Sequence, residues 1–564
     1  MTTTSTALRP QVARQVAARL LRHAAADREP VPYEVDWAGP VRAELTDERS
    51  VQAVCGIMHV HGRATGGPLP LAVDYASVVA GALAAQGATA VLLARARGLA
   101  LSTVRTSVAQ GALVAVTQYL AAATALHPDE AEPPERPGTA TLVSADGVRV
   151  EIETLDPDAW RDFWTRLGLP PGTAGRGWRP FQQRFATAVC PLPSTLRATA
   201  AGTPSAVLRA VAEATGVSLL VVGDDPAPIT GPEPWTLHPT APAPRRPRTR
   251  PAGGTATAPL HGLRVVESTR RVQGPLAGHL LRLLGAEVVR IEQPGGDPMR
   301  WLPPMVGECS ARFAALNAGK RVVEADFTTP AGRATVRELA ADADVFLHNW
   351  APGRAERLGL DAPALTADSP GLVHAWASGF GSALGDRPVL GTDYLAQVHD
   401  GLAAAVRPAG TPPAPSLMTL TDVLGGLVCA QGVLAALLSR ERTGRGARVE
   451  SSLASAAALV PRPARRVRWT PRDLPLPTAD GHVYLGREAR SRPGGLPHLP
   501  APGHTLTSAE LVAHLASSGL SAVPVRTDLA TLPQDPDFRS AVLPAEPDAR
   551  PPVPARPAAP WEFA

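Results

Sequence analysis

The segment Leu420-Thr421-Asp422-Val423-Leu424-Gly425-Gly426 opens a long Ala/Leu run and sets one carboxylate just ahead of a glycine pair. At a helix N-terminus, aligned peptide dipoles and open N–H groups favour the ionised carboxylate that a nucleophile needs. Aspartate is also a preferred N-cap, and the two roles do not exclude each other. A second residue stands out by type. Lys320 is the single lysine among 55 basic side chains. A lysine that survives so strong a preference for arginine is a candidate for work that needs a compact ammonium, such as meeting a phosphate. Cys55, Cys190, Cys309 and Cys429 lie far apart without a CxxC. They read as reduced, buried thiols, so neither a metal centre nor a disulfide framework is expected.

The elements that must position these residues come from 564 residues, 45% of them apolar and 19% charged, with a net charge of +4. That is a globular composition, too long for one core. No dense basic stripe interleaved with aromatics is present, so nucleic acid is not an expected partner. No stretch approaches eighteen uninterrupted apolar residues, so no membrane span is expected. The Arg-rich segment after Thr6 reads as a surface amphipathic helix, not a transit peptide, and the cytoplasm is the expected compartment. Residues 238–259, rich in proline, arginine and small residues, read as an extended linker between halves 1–237 and 260–564.

The halves are related. At a fixed offset of 345 residues, Gln52 meets Gln397, Gly56 meets Gly401, Pro68 and Pro70 meet Pro413 and Pro415, and Ala85-Gln86-Gly87 meets Ala430-Gln431-Gly432. Alanines and leucines match by chance in such helices, but the Gln, Gly and Pro matches mark a duplication. At this offset Asp422 falls opposite Ser77, and Asp74 is three residues out of register. A second echo pairs Ser144-Ala145-Asp146-Gly147 with Thr478-Ala479-Asp480-Gly481, each a turn before a strand. The C-terminal copy of this small α/β unit is the shorter. Upstream of Asp422, short apolar strands (LRVVEST, EVVRIEQ, RVVEADF, ADVFLHNW) alternate with helical segments, the pattern of a parallel βαβ sheet. Neither GxGxxG nor GxxxxGK[ST] occurs.

Across residues 260–460 these motifs, in order, resemble the class III CoA-transferases, whose relatives include formyl-CoA transferase and α-methylacyl-CoA racemase. Residues 35–230 resemble the later part of the same fold more faintly. The resemblance implies a Rossmann-like parallel-sheet domain plus a small α/β domain, arranged as an intrachain pseudo-dimer, with room for a further homodimer. It implies an acyl-CoA:carboxylate CoA-transferase that uses acyl-CoA and a carboxylic acid acceptor and holds no permanent cofactor or metal. Asp422 would be the acyl-carrying nucleophile, working through an aspartyl anhydride and an aspartyl-CoA thioester, and Gln273 would bond the oxyanion. Asn349, Trp350, Pro352 and Gly353 match the loop against which CoA lies. Arg357 and Leu358 match the pair at the nucleotide, Lys320 a phosphate partner, and Gly425 and Gly426 the glycine pair at the CoA site. Two departures stand out. Thr328 replaces a lysine that helps hold CoA, and Thr392 replaces the Tyr of transferases or the His of racemases, which argues against racemisation. Two other functions use the same residues: a non-catalytic acyl-CoA-binding protein, or a CoA-thioester isomerase or lyase with Asp422 as base.

Overall fold

The computed structural model describes residues 9–26, 29–125, 136–226, 232–242, 258–381, 384–385, 389–493, 496, 503–549 and 552–564. Its largest sheet has seven strands: β1 (Trp235–Pro242), β2 (Arg264–Ser268), β3 (Glu287–Glu292), β4 (Arg321–Glu324), β5 (Val345–His348), β6 (Val373–Ser378) and β7 (Arg445–Ser452). Their order is β4-β3-β2-β5-β6-β7-β1. All pairings are parallel except β1 on β7, which is antiparallel. The apolar runs of β2, β5 and β6 suit strands covered on both faces. The order reverses between β2 and β5, where an α/β sheet opens a crevice beyond its strand ends.

Four helices matter for the site: α1 (Tyr75–Ala96), α2 (Gln273–Leu283), α3 (Asp393–His399) and α4 (Leu420–Thr443). The first and last are repeat-related, and both are long and apolar enough to cross a bilayer. They lie against each other and are buried almost throughout. A helix apolar on all sides must be covered on all sides, and here each supplies part of the other's cover. The contact follows the duplication. Gln86 donates to the Leu427 carbonyl at 2.8 Å, and its counterpart Gln431 donates to Thr89 Oγ1 at 2.9 Å.

The tails are exchanged. Strand β1, from the end of the N-terminal half, edges the sheet of the C-terminal half. Glu562–Phe563, at the end of the chain, pairs antiparallel with Val104–Ser107, which is parallel to Tyr33–Asp36. Trp235 packs on Gly432 of α4, and Trp561 packs on the repeat-related Gly87 of α1. A β-carbon at either glycine would come within 3.1 Å of the indole.

This exchange corrects the 238–259 linker: its first five residues are strand, and 243–257 lie outside the described residues. Proline hid the strand. An edge strand tolerates Pro239 and Pro242 because one side of its ladder needs no donors. The expected surface helix is also corrected in part. Gln11–His23 is amphipathic, but Ala13, Val16, Ala17 and Leu20 are buried against α1. The small units match their echo. Leu142–Val143, Arg149–Glu153 and Ser218–Val221 form one sheet, and Leu476–Pro477, His482–Leu485 and Ala522–Pro524 form the other. In each turn the aspartate, Asp146 or Asp480, holds a distant serine, Ser205 or Ser508, through both its N–H and its hydroxyl.

Candidate active site

Helix α4 starts at Leu420 with Thr419 as its N-cap residue, so Asp422 is not the cap. The N-terminal N–H groups are met instead by Asp393, the first residue of α3. Asp393 Oδ1 accepts from Thr421 N at 2.6 Å, Thr421 Oγ1 at 2.7 Å and Asp422 N at 2.9 Å. Gln397 Nε2, one turn on, donates to Asp393 Oδ2. With the cap supplied from outside, the Asp422 side chain is left over: its carboxylate accepts no hydrogen bond from any described residue, and it is the one residue of Leu420–Gly426 that is not fully buried. Burial pushes Asp393 up to about 6. Burial, and then the charge of Asp393, push Asp422 well above the ordinary carboxylate range, while the Arg271 guanidinium acts in the opposite sense.

Gln273 reaches the same helix end. Its amide lies 2.9 Å from where a β-carbon of Gly425 would stand, and one N–H donates to the Ser378 carbonyl at 3.1 Å. Its main-chain carbonyl lies 2.8 Å from the β-carbon position of Gly426. Both glycines are buried, with Gln273 against each of them. They let the loop at the head of α2 approach α4, a spacing that any side chain would prevent.

The N-terminal half closes the site from the other side. Glu153 and Arg184 of its small unit form a buried pair at 2.8 Å. The Arg184 guanidinium lies 4.5 Å from the centre of the Tyr394 ring, beside Asp393. Glu153 acts on Asp422 through its charge, and Arg271 lies over Phe185 at 5.6 Å. Asp393, Glu153, Arg184 and Arg271 are not singled out by the sequence. Asp393 had a signal, since the 345-residue offset sets it opposite Glu48, but the side chains differ and an identity match passes over them.

The second region lies where the sheet order reverses. A cleft there is lined by Thr269, Arg270, Glu292, Phe327, Trp350 and Arg354. Asn349 bridges the strand ends: its Oδ1 accepts from Arg270 N and its Nδ2 donates to Arg270 O, both at 2.9 Å. Trp350 is buried against Phe327 and His348, with its carbonyl taking the Trp376 indole N–H at 2.9 Å. Pro352 is exposed. Gly353, with φ of 71°, turns the chain into Arg354–Leu358. In that turn Arg357 is exposed, while Leu358 packs on the cluster around Phe327 and Trp350. The loop from Thr269 to Gln273 joins this cleft to Asp422.

Lys320 is the clearest correction. Its ammonium is fully buried and bonded to Glu267 Oε1 at 2.9 Å, the Pro275 carbonyl at 2.8 Å and Asn317 Oδ1 at 3.0 Å. Burial lowers it to about 8, against the pull of Glu267. The three donors of an ammonium are thus committed within the protein, and no phosphate can reach them. Glu267 also holds Arg290 at 3.0 Å, so the single lysine neutralises a buried carboxylate in a charged core under the cleft. Of the two departures, Thr328 is exposed and bonded to Asp326. The Thr392 hydroxyl is buried with no hydrogen-bond partner among the described residues. No grouping of His, Cys, Asp and Glu suited to a metal occurs among the described residues.

The sequence model of CoA-transferase family III matches residues 37–225 and again 260–471. The chain belongs to that family. Its two matched segments are the two copies of the duplication. It is 34% identical over 199 residues to a succinyl-CoA:glutarate CoA-transferase of Mus musculus, covering 35% of this chain and 46% of that protein. It is 35% identical over 247 residues to the alpha subunit of a succinyl-CoA–L-malate CoA-transferase of Chloroflexus aurantiacus, covering 43% and 54%. An acetyl-CoA:oxalate CoA-transferase of Acetobacter aceti is 35% identical over 199 residues, covering 35% and 51%. The chain spans about half the length of these curated relatives.

Proposed function

We propose that this chain is an acyl-CoA:carboxylate CoA-transferase with one active site, built by both halves, in which Asp422 carries the transferred group. The observation that carries the reading is the state of Asp422. It is a half-buried residue whose carboxylate has no hydrogen-bond partner among the described residues, at the head of a buried helix whose N–H groups another acid has already met. A carboxylate kept for structure would be bonded; this one is left for a substrate. The named relatives transfer CoA between carboxylic acids.

In this reaction the Asp422 carboxylate attacks the thioester carbonyl, the C–S bond breaks, and a mixed anhydride forms with release of CoA thiolate. The thiolate attacks the Asp422 side-chain carbonyl, frees the first acid and leaves an aspartyl-CoA thioester. The acceptor carboxylate then attacks that thioester, giving a second anhydride, and the returning thiolate takes the acceptor acyl group and restores Asp422. Water would hydrolyse every intermediate, so a site covered by the N-terminal half has a chemical purpose. CoA would lie over the cleft between β2 and β5, with Asn349 fixing the Arg270 loop and Trp350 forming its floor. Gln273 would offer its second N–H to the oxyanion. The pseudo-dimer supplies in one chain the cover that a separate subunit would otherwise bring.

The test is conversion of succinyl-CoA and a free acid to succinate and the new acyl-CoA, followed chromatographically. The Asp422→Asn protein should lose roughly 10⁴-fold or more in rate with its melting temperature nearly unchanged. Turnover by a folded Asp422→Asn protein would refute the assignment.

A further inference from the structure

The Arg271 guanidinium is held by no ion pair among the described residues. Arg271 stands two residues before Gln273, on the loop that joins the cleft to the Asp422 helix. Its backbone is left-handed, with φ of 64°, in a region that non-glycine residues adopt only when their surroundings demand it. The guanidinium lies over the Phe185 ring of the N-terminal half. Beyond that contact it makes no hydrogen bond or ion pair with any described residue. Arg184 is engaged by Glu153, Arg290 by Glu267 and Glu292, and Arg300 by Glu292, while Arg270 and Arg354 line the cleft. Arg271 is also only half-buried, so a ligand can reach it. A guanidinium set beside an aromatic ring, with no N–H of its fork bonded among the described residues, matches a carboxylate, which it can grip with two parallel bonds. The substrate acid already uses one carboxylate in its anhydride with Asp422. A cation on the same loop therefore has use for a second.

We propose that Arg271 binds the non-reacting carboxylate of the substrate acid, and that the chain therefore selects dicarboxylic over monocarboxylic acyl groups. This rests on the CoA-transfer reading. Arg271 could instead act through Asp422 alone, by favouring its ionised form, and that role would affect every acid equally.

Succinate and butyrate separate the two roles, since they differ by a carboxylate in place of a methyl group. With the full chain, isotope exchange is measured between succinyl-CoA and labelled succinate, and between butyryl-CoA and labelled butyrate. The unsubstituted protein should favour succinate in kcat/KM. Arg271→Met should lower succinate exchange by about 10–100-fold, the range for a lost charged hydrogen bond, and leave butyrate exchange within about threefold. Arg271→Lys, which keeps the charge without the fork, should fall between them and gives the same discrimination if the Met variant does not fold. Equal losses for both acids, or no preference for succinate in the unsubstituted protein, would overturn the proposal. Absence of exchange with either acid would overturn the CoA-transfer reading itself.

Discussion

The heads of α1 and α4 are the same structure put to different uses. At α4, Asp393 accepts the N–H groups of Thr421 and Asp422. At α1, Glu48 accepts those of Ala76 and Ser77, both at 2.8 Å. Gln52 and Gln397 each donate to the capping acid and accept a backbone N–H, from Leu71 and Ser416. All of these residues correspond at the one offset of 345. What differs is the third helical residue. Ser77 is buried and gives its hydroxyl to Glu48 at 2.6 Å, closing the network. Asp422 reaches solvent, and its carboxylate bonds to nothing described. The cover differs in the same sense. Beside the Glu48 cap the shortened C-terminal unit forms ion pairs, Arg490 with Asp47 and Asp473 with Arg49. Over Asp422 the fuller N-terminal unit brings the Glu153–Arg184 pair and Phe185. The duplication preserved what holds a helix end together, and among the described residues the third helical side chain is bonded in one copy and unbonded in the other.

The largest effect should come from removing the cover. Residues 258–564 expressed alone would lose β1 from the sheet edge and the whole of α1 from α4, exposing apolar surface of a kind that drives aggregation. We expect insoluble or inactive protein, and recovery on co-expression with residues 1–242. A break at 237 would instead remove a strand from the sheet. Solubility and acyl transfer of each form check this, and a soluble, fully active C-terminal half would show the first half to be a separate module.

The next effect concerns the charged core. Lys320→Met leaves Glu267 buried with one cation fewer and should cost about 3–5 kcal/mol of stability. CoA should give Lys320 no added protection from amine-directed acetylation, because the buried ammonium is inert either way. Denaturant unfolding and peptide mapping with and without CoA measure both, and protection specific to CoA would return Lys320 to the site.

The smaller effects sharpen the comparison of the two helix heads. Burial pushes Glu48 up to about 7 from an ordinary 4.5. The folded state therefore holds a proton that the unfolded state gives up earlier, and its stability falls as pH rises from about 4.5 to 7. Glu48→Gln should remove up to about 3 kcal/mol of that fall, as seen in melting curves across the window, and an unchanged pH profile would contradict the raised value. Ser77→Ala removes one buried bond to Glu48. It should cost about 1–2 kcal/mol and leave exchange untouched, since no substrate meets that position.

Much of this was legible in the residues. The fixed offset exposed the duplication because Gln, Gly and Pro are matched by geometry, not by mere apolarity: Gly87 and Gly432 each admit a tryptophan, and Gln86 and Gln431 each cross between the helices. The parallel sheet followed from its short apolar runs. Glu48 and Asp393 escaped notice because a cap can be conserved in function while its side chain changes length. Lys320 was rightly singled out and wrongly employed. A lone lysine can balance an internal acid as well as a phosphate, and Glu267 lies 53 residues away in sequence. The prolines of β1 made a strand resemble a tether.

The most direct test of a single aspartate at work is intact-mass analysis of the full chain during turnover with succinyl-CoA, followed by peptide mapping. The account predicts a CoA thioester on the peptide that contains Asp422, absent in Asp422→Asn and never found on the peptides that carry Ser77 or Glu48. Steady turnover with no adduct at Asp422, or an adduct in the first copy, would contradict it.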